Sequence, residues 1–283
     1  MPRALTPLPA SLDEIISADI LALPEVYGRL AAKLDDPYAS NGELGELIAL
    51  DPGIATRVLR LANSPFYGLA STVSTVSQAI SIIGRVSLAK TVLGVSVISV
   101  FDRMAAVSRA TLRSHWKHSV FCGLLSRALG RATAARADGE TLFMAGLLHD
   151  VGRLVLWQTF GGAAEVAGQP DQDAFVPEGA VADEVARFGW DHATVGGALL
   201  RRWQLPDPLV SAVLWHHDPL MASRDQAIVD IVCAANVMAQ PDFTGGEGNS
   251  LVRRAFPSLS DDGLGEILAA CRTQLDETLG YFL

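Results

Sequence analysis

Six histidines and one adjacent aspartate hold most of the chemistry this chain can offer. His149 and Asp150 stand side by side in Ala145-Gly146-Leu147-Leu148-His149-Asp150-Val151-Gly152-Arg153, an otherwise apolar run whose pattern predicts one helix from about Glu140 to Trp157. Ionisable groups buried in such a run cost several kcal/mol unless they are hydrogen-bonded, paired or bound to metal. Neighbouring helical residues point about 100° apart, so the pair can flank one point in space only if other helices bring the remaining partners. The candidates are His118 on the preceding helix, His192 on a later one, and His216-His217 at the end of another. Imidazoles and a carboxylate converging in a helical bundle make a pocket for a metal ion or a phosphate. The same residues also allow a structural polar network in which His149 and Asp150 satisfy each other or nearby backbone. His115, one turn before His118, competes with it for the inward position. His216-His217, near a helix C-terminus, also fit an ordinary cationic histidine stabilised by the helix dipole.

The elements that must position these residues are helical. Leu23-Pro24 opens a helix, proline suiting a first turn, and Asp35-Asp36-Pro37 stops it. Ser40 with Glu43 has the form of a capping box, and Asp51-Pro52 reads as an N-cap followed by proline at the first helical position. Val76 to Ile83, ended by Gly84, and Leu88 to Phe101 complete a first lobe ending near Met104, with Ala105 to Ala110 as a hinge or turn. A second lobe carries every histidine, on helices at Thr111 to about Arg136, Ala182 to Phe188, His192 to Trp203, Pro206 to His216 and Asp225 to Ala239. Gly161 to Ala180 reads as a surface connection, Met1 to Ala10 as a loose arm, and Ser260 to Gly280 as a last amphipathic helix. No strand alternation competes over a useful length. The expected fold is all-α and two-lobed, divided into an arm (1–19), an N-terminal lobe (20–104), a histidine-bearing lobe (105–240) and a C-terminal extension (241–283).

Composition narrows the function classes. The chain has 283 residues, 49% of them hydrophobic and 19% charged, enough for two well-buried lobes. No stretch reaches the roughly 18 apolar residues of a membrane span, and the first twenty residues lack the pattern of a secretion signal. A cytoplasmic protein is expected. The net charge of −9 and the lack of a basic stripe argue against specific duplex DNA binding. Arg201-Arg202 and Arg253-Arg254 read as solvated helix faces. Cys122, Cys233 and Cys271 are far apart and read as buried small side chains; a zinc site built from the three is not expected.

Several motifs occur in the order of one family. Leu23-Pro24-Glu25-Val26, Ile48-Ala49-Leu50-Asp51-Pro52, Arg57 to Ser64, Ala79 to Gly84, Trp116-Lys117-His118-Ser119, Gly146 to Gly152, Gly189 to Gly196, Trp203-Gln204-Leu205-Pro206 and His216-His217 resemble the HDOD family over roughly residues 20 to 240. The resemblance implies a bacterial signalling module with an HD-like C-terminal lobe, related to the HD and HD-GYP metal-dependent phosphohydrolases but often degraded at their catalytic site. It implies metal ligation by His118, His149, Asp150, His192, His216 and His217, and it favours His118 over His115. The final aspartate of the enzymes is missing: Asn236 stands in its place, and Asp230 lies more than a helical turn earlier on another face. Asp218-Pro219-Leu220-Met221 replaces the glycine-tyrosine-proline signature of the HD-GYP branch, and Arg153 stands where the enzymes often place lysine.

Two functions compete for these residues. In the first, the chain acts through protein or ligand contacts, its pocket holding at most one divalent ion, iron, manganese or zinc. Its N-terminal lobe would then face signalling proteins, and a phosphorylated small molecule or nucleotide is a candidate ligand. In the second, two divalent ions activate water for attack on a phosphoester. Neither a P-loop nor a nucleophile elbow supplies another catalytic route. The missing carboxylate favours the first.

Overall fold

The computed structural model describes residues 11–16, 21–34, 36–64, 67, 72–103, 107–133, 138–160, 180–241, 243 and 250–282. The described residues form α-helices joined by turns and one short 3-10 turn at Pro219–Met221, with no strand among them. The helices are α1 (Leu12–Ile16), α2 (Glu25–Leu34), α3 (Asn41–Ala49), α4 (Pro52–Ala62), α5 (Val76–Ile83), α6 (Arg85–Phe101), α7 (Arg109–Ala132), α8 (Gly139–Leu148), α9 (Val151–Phe160), α10 (Ala180–Phe188), α11 (His192–Arg202), α12 (Asp207–Trp215), α13 (Gln226–Met238), α14 (Ser250–Ala255) and α15 (Asp261–Phe282). The arm at 1–10 and nearly all of the connection at 161–180 lie outside the described residues.

The chain divides into two compact units. One comprises residues 22–103 together with 274–283; the other comprises 1–21 and 104–273. In the first, local chemistry fixes the helix starts. Ser40 accepts the Glu43 N–H while the Glu43 carboxylate takes the Ser40 N–H, and Thr75 and Gln78 repeat the arrangement. Asp51 caps α4 with Pro52 behind it. Gly84, at a φ of 85° that favours glycine, turns the chain from α5 directly into α6. After α4, the Asn63 amide grips the Val73 backbone in both directions, at 2.8 and 2.7 Å, and so closes the loop between them. The interior is aliphatic: Leu30, Leu44, Ile48, Val58 and Ile80 are buried, and Leu279 and Phe282 of α15 are buried with this unit's last segment.

The second unit is built on α7 and α8, with α13 packed on both and α12 on α8; α11 packs on α12 and α9, and α1 lies against α9 and α11. Trp203 Nε1 donates to the Leu21 carbonyl at 2.7 Å, tying the end of α11 to the segment after α1. Two glycines allow backbones to meet where side chains would hold them apart. A Cβ on Gly146 would fall 2.6 Å from the Cys122 carbonyl oxygen, and one on Gly152 would fall 2.0 Å from that of His192. These approaches bring α8 onto α7 and α9 onto α11 on either side of His149-Asp150.

The single helix expected from Glu140 to Trp157 is two. α8 ends at Leu148 and α9 begins at Val151, with His149 and Asp150 in the turn between. The reason is local. His149 Nδ1 donates to the Gly146 carbonyl at 2.7 Å, so the ring folds back onto its own last helical turn. An apolar pattern that continues across both helices carries no sign of this break.

Candidate metal centre

Asp150, buried at the α8–α9 turn, faces imidazoles with both carboxylate oxygens. Oδ1 lies 3.1 Å from His192 Nε2 and 3.5 Å from His216 Nε2. Oδ2 lies 3.4 Å from His149 Nε2, 3.9 Å from His118 Nε2 and 3.0 Å from Arg153 Nε. His217 Nε2 comes within 3.0 Å of His192 Nε2. Asp150, His192, His216 and His217 therefore form one group of ligand atoms all within 4.8 Å of one another, and His118, Cys122 and His149 form a second. The structure thus contains a possible His/Asp metal-binding cluster.

The orientation of each ring follows from what holds its other nitrogen. His149 Nδ1 meets the Gly146 carbonyl at 2.7 Å, and His216 Nδ1 meets the Val213 carbonyl at 2.8 Å. A carbonyl only accepts, so both Nδ1 atoms carry hydrogen and both Nε2 atoms present lone pairs. His192 Nδ1 donates to Glu184 Oε2 at 2.6 Å, and the same oxygen takes the His192 backbone N–H at 2.9 Å. Its Nε2 also points at Asp150. Lone pairs aimed at a carboxylate repel it unless a proton or a metal ion lies between. His149 Nε2 is fully buried and has no hydrogen-bond partner, an environment suited to a metal-ligating nitrogen. By donor chemistry and by this orphaned nitrogen, the residues fit a divalent metal.

Charge reinforces the arrangement. Burial by itself would raise the Asp150 carboxyl, but Arg153 and the surrounding histidines hold it well below the usual carboxylate range. Burial pushes His118, His149, His216 and His217 below the ordinary imidazole value, so these rings are neutral and able to ligate. His192 goes the other way: against burial and Arg153, the carboxylates of Asp150 and Glu184 raise it. Burial pushes the Cys122 thiol well up.

The structure brings all six histidine and aspartate candidates together, and Asn236 with them: Asn236 Oδ1 is 3.1 Å from His118 Nε2. His115 and His118 do not compete for one position: both are at least partly buried, and their rings meet different neighbours. His115 packs edge-on against Trp116 and Trp157 at ring separations of 5.0 and 5.5 Å. The reading of His216 or His217 as an ordinary cationic helix end is corrected, since both rings turn into the cluster and are neutral. Arg253 and Arg254 are not simply solvated either; they pair with Asp261 and Asp230.

Three participants go beyond the expected set. Glu184 on α10 fixes His192 and lies 3.8 Å from Arg153 Nη1; it belongs to no local motif, and nothing in the sequence marks it. Arg153 is buried against Asp150, three residues along, a spacing that was visible. Cys122, buried as expected, brings its Sγ to 3.5 Å from His118 Nε2; the four-residue spacing on α7 was its signal.

The HDOD domain family matches residues 20–219. An uncharacterised protein of Treponema pallidum (strain Nichols) is 24% identical over 243 residues, covering 86% of this chain but 46% of its own length, so the chain spans about half of that relative. Among solved structures, an HDOD domain protein of unknown function from Geobacter sulfurreducens aligns with a TM-score of 0.72 at 23% identity, covering 96% of this chain and 95% of its own. A Shewanella amazonensis protein provisionally named a phosphohydrolase gives 0.73 at 21%, covering 97% and 98%. One from Marinobacter aquaeolei, provisionally named a signal transduction protein, gives 0.72 at 18%, covering 99% and 63%. At these identities the structural likeness establishes the fold alone. With the family matched over most of its length, and with that family's all-helical architecture, the chain belongs to the HDOD domain family.

Proposed function

We propose that this protein is a cytoplasmic signal-transduction module that works by contact with other proteins or a ligand, and that its pocket holds one divalent ion without sustaining phosphoester hydrolysis. The observation that carries the reading is Asn236. Its amide oxygen lies 3.1 Å from His118 Nε2, at the edge of the cluster where a carboxylate would be needed to help neutralise a second ion. An amide brings no charge. Among the described residues Asp150 is then the one carboxylate that faces the imidazole Nε2 atoms, and it already pairs with Arg153; Glu184, on the Nδ1 side of His192, is engaged there and with Arg153. Two divalent ions would leave a large uncompensated charge in a poorly solvated pocket.

His118, His149, Asp150, His192, His216 and His217 are the proposed ligands, and iron, manganese or zinc the proposed metals, since imidazole-rich sites suit them. When bound, the ion would supply Lewis acidity and a fixed positive charge. Metal analysis of protein purified without chelator, with calorimetric titration of the native chain and of Asn236→Asp, tests the reading. At most one equivalent is expected in the native chain, with tighter binding in the variant because a unit charge is restored near the cation. Hydrolysis of generic phosphodiesters and phosphomonoesters is expected at background. Equal affinities would remove Asn236 from the site, and robust hydrolysis by the native chain would overturn the module reading.

A metal-dependent phosphohydrolase remains the second reading. The observation favouring it is that the two oxygens of Asp150 face different imidazole groups, a disposition suited to bridging two ions.

The proposed partner-facing part is residues 20–104. Tyr38, Leu50, Ile82 and Val86, all within it, are exposed large apolar side chains, and Ile82 and Val86 flank the Gly84 turn. Exposed apolar groups of this size are what a protein partner covers. The double variant Ile82→Asp with Val86→Asp is expected to abolish the module's signalling phenotype while leaving thermal stability and metal content unchanged. A normal phenotype in that variant would show that these residues contact no partner.

A further inference from the structure

The pocket contains a thiol that the reading above leaves unused. Cys122 is completely buried on α7, one turn after His118, and its Sγ lies 3.5 Å from His118 Nε2 and 3.9 Å from the carbonyl oxygen of Ala235, the residue before Asn236. With His118 and His149 it forms a set of ligand atoms within 4.8 Å of one another. The orphaned, fully buried His149 Nε2 belongs to this same set. Asp150 Oδ2 borders it, 3.4 Å from His149 Nε2 and 3.9 Å from His118 Nε2.

We propose that Cys122 is a metal ligand, and that the ion lies between His118, Cys122, His149 and Asp150, a site suited to zinc. The proposal rests on the single-ion reading and deepens it, narrowing the ligands to these four and leaving His192 and His216 against the other oxygen of Asp150 and His217 against His192. Charge is the reason for choosing this side of Asp150. Among His192, His216 and His217 an ion would meet one carboxylate and neutral or cationic rings, leaving excess positive charge. Beside Cys122, the thiol releases its proton to solvent as sulfur binds the ion, and thiolate plus carboxylate then neutralise a divalent cation. Asn236 brings no charge to this pocket, and Cys122, packed against the adjoining backbone, supplies one from the neighbouring helix. Two imidazole nitrogens, one sulfur and one carboxylate oxygen form a donor set typical of zinc, whereas manganese and magnesium prefer oxygen.

Cobalt(II) loading of the metal-stripped full-length chain tests this without any assay of activity. A thiolate bound to cobalt gives a near-ultraviolet charge-transfer absorption, which imidazole and carboxylate ligands do not. The band is expected in the native chain, is expected to disappear as zinc is added, and is expected to persist in Cys233→Ser and Cys271→Ser. In Cys122→Ser it should be absent, with zinc affinity lowered by more than about tenfold, the scale on which even outer partners of metal ligands act, and manganese affinity nearly unchanged. The native spectrum serves even if the Cys122 variant does not fold. Cobalt bound without the band would overturn the thiolate site and leave the single-ion reading standing. A chain that binds no cobalt, zinc or manganese would overturn both.

Discussion

Replacing Gly152 by alanine is expected to cost about 3 kcal/mol of stability or more, the upper end for overpacking, and to weaken metal binding at the same time. The added methyl would lie 2.0 Å from the His192 carbonyl oxygen and 2.6 Å from the Gly196 nitrogen. Both are backbone atoms of α11, so no side-chain rotation relieves the clash. α9 and α11 must separate, and His192 Nε2 then leaves its position 3.1 Å from Asp150 Oδ1. Urea unfolding and calorimetric titration should fall together. Gly265→Ala is the control: an added Cβ there meets nothing within 4 Å, and the position lies inside α15. Alanine there should stabilise by about 0.5–1 kcal/mol through backbone entropy. A Gly152→Ala protein with native stability would mean that the α9–α11 approach is looser than the geometry requires.

Acid is expected to unfold the protein well before its carboxylates titrate, and His115 contributes a separable part of this. Burial between the two tryptophans drives its value down to about 3, against about 6.5 in an unfolded chain. A depressed folded value means that the unfolded state binds the proton first. The stability associated with neutral His115 is therefore intact above about pH 6.5 and falls as pH drops from there towards 3. At pH 5 the loss from this residue is about 2 kcal/mol by that linkage. His118, His149, His216 and His217 are depressed too and add to the slope. His192 opposes it: its raised value contributes stability below its unfolded value that disappears as pH rises through the folded one. His115→Phe retains an aromatic ring against Trp116 and Trp157 and removes a buried Nε2 with no hydrogen-bond partner. With metal removed by chelator, this variant should lose about 2 kcal/mol less than the native chain between pH 7 and pH 5. Parallel pH profiles would show that His115 is protonated in the fold.

Where chemistry is local in sequence, it was readable there. The Ser40-Glu43 and Asp51-Pro52 caps place α3 and α4 to within a residue, because a cap is a contact between neighbours. The histidine helices are likewise found close to their expected bounds: His192 opens α11 behind Asp191, whose carboxylate accepts the Thr194 N–H. The break at His149-Asp150 was not readable, since it depends on a ring folding back to Gly146 within an unbroken apolar pattern. Glu184 was hidden for a different reason. Its partners, His192 and Arg153, lie on other helices, and only the tertiary fold identifies one acidic residue of α10 as a buried orienting group. Cys122 lay between these cases, its helical spacing from His118 visible but its chemistry masked by the ordinary burial of cysteine.

The unit formed by residues 22–103 is discontinuous, because residues 274–283 complete it. A ribosome delivers the early helices long before Leu275, Leu279 and Phe282, whose side chains are buried, and before Gly280, whose carbonyl accepts from Arg60 at 3.0 Å. Closing so long an intervening loop carries an entropic cost that local pairings avoid. During synthesis the first segment must therefore wait with part of its apolar surface uncovered, while the whole histidine-bearing stretch emerges and can fold. Residues 22–103 are made before the histidine-bearing stretch yet are finished after it, and chaperone capture is expected to concentrate there.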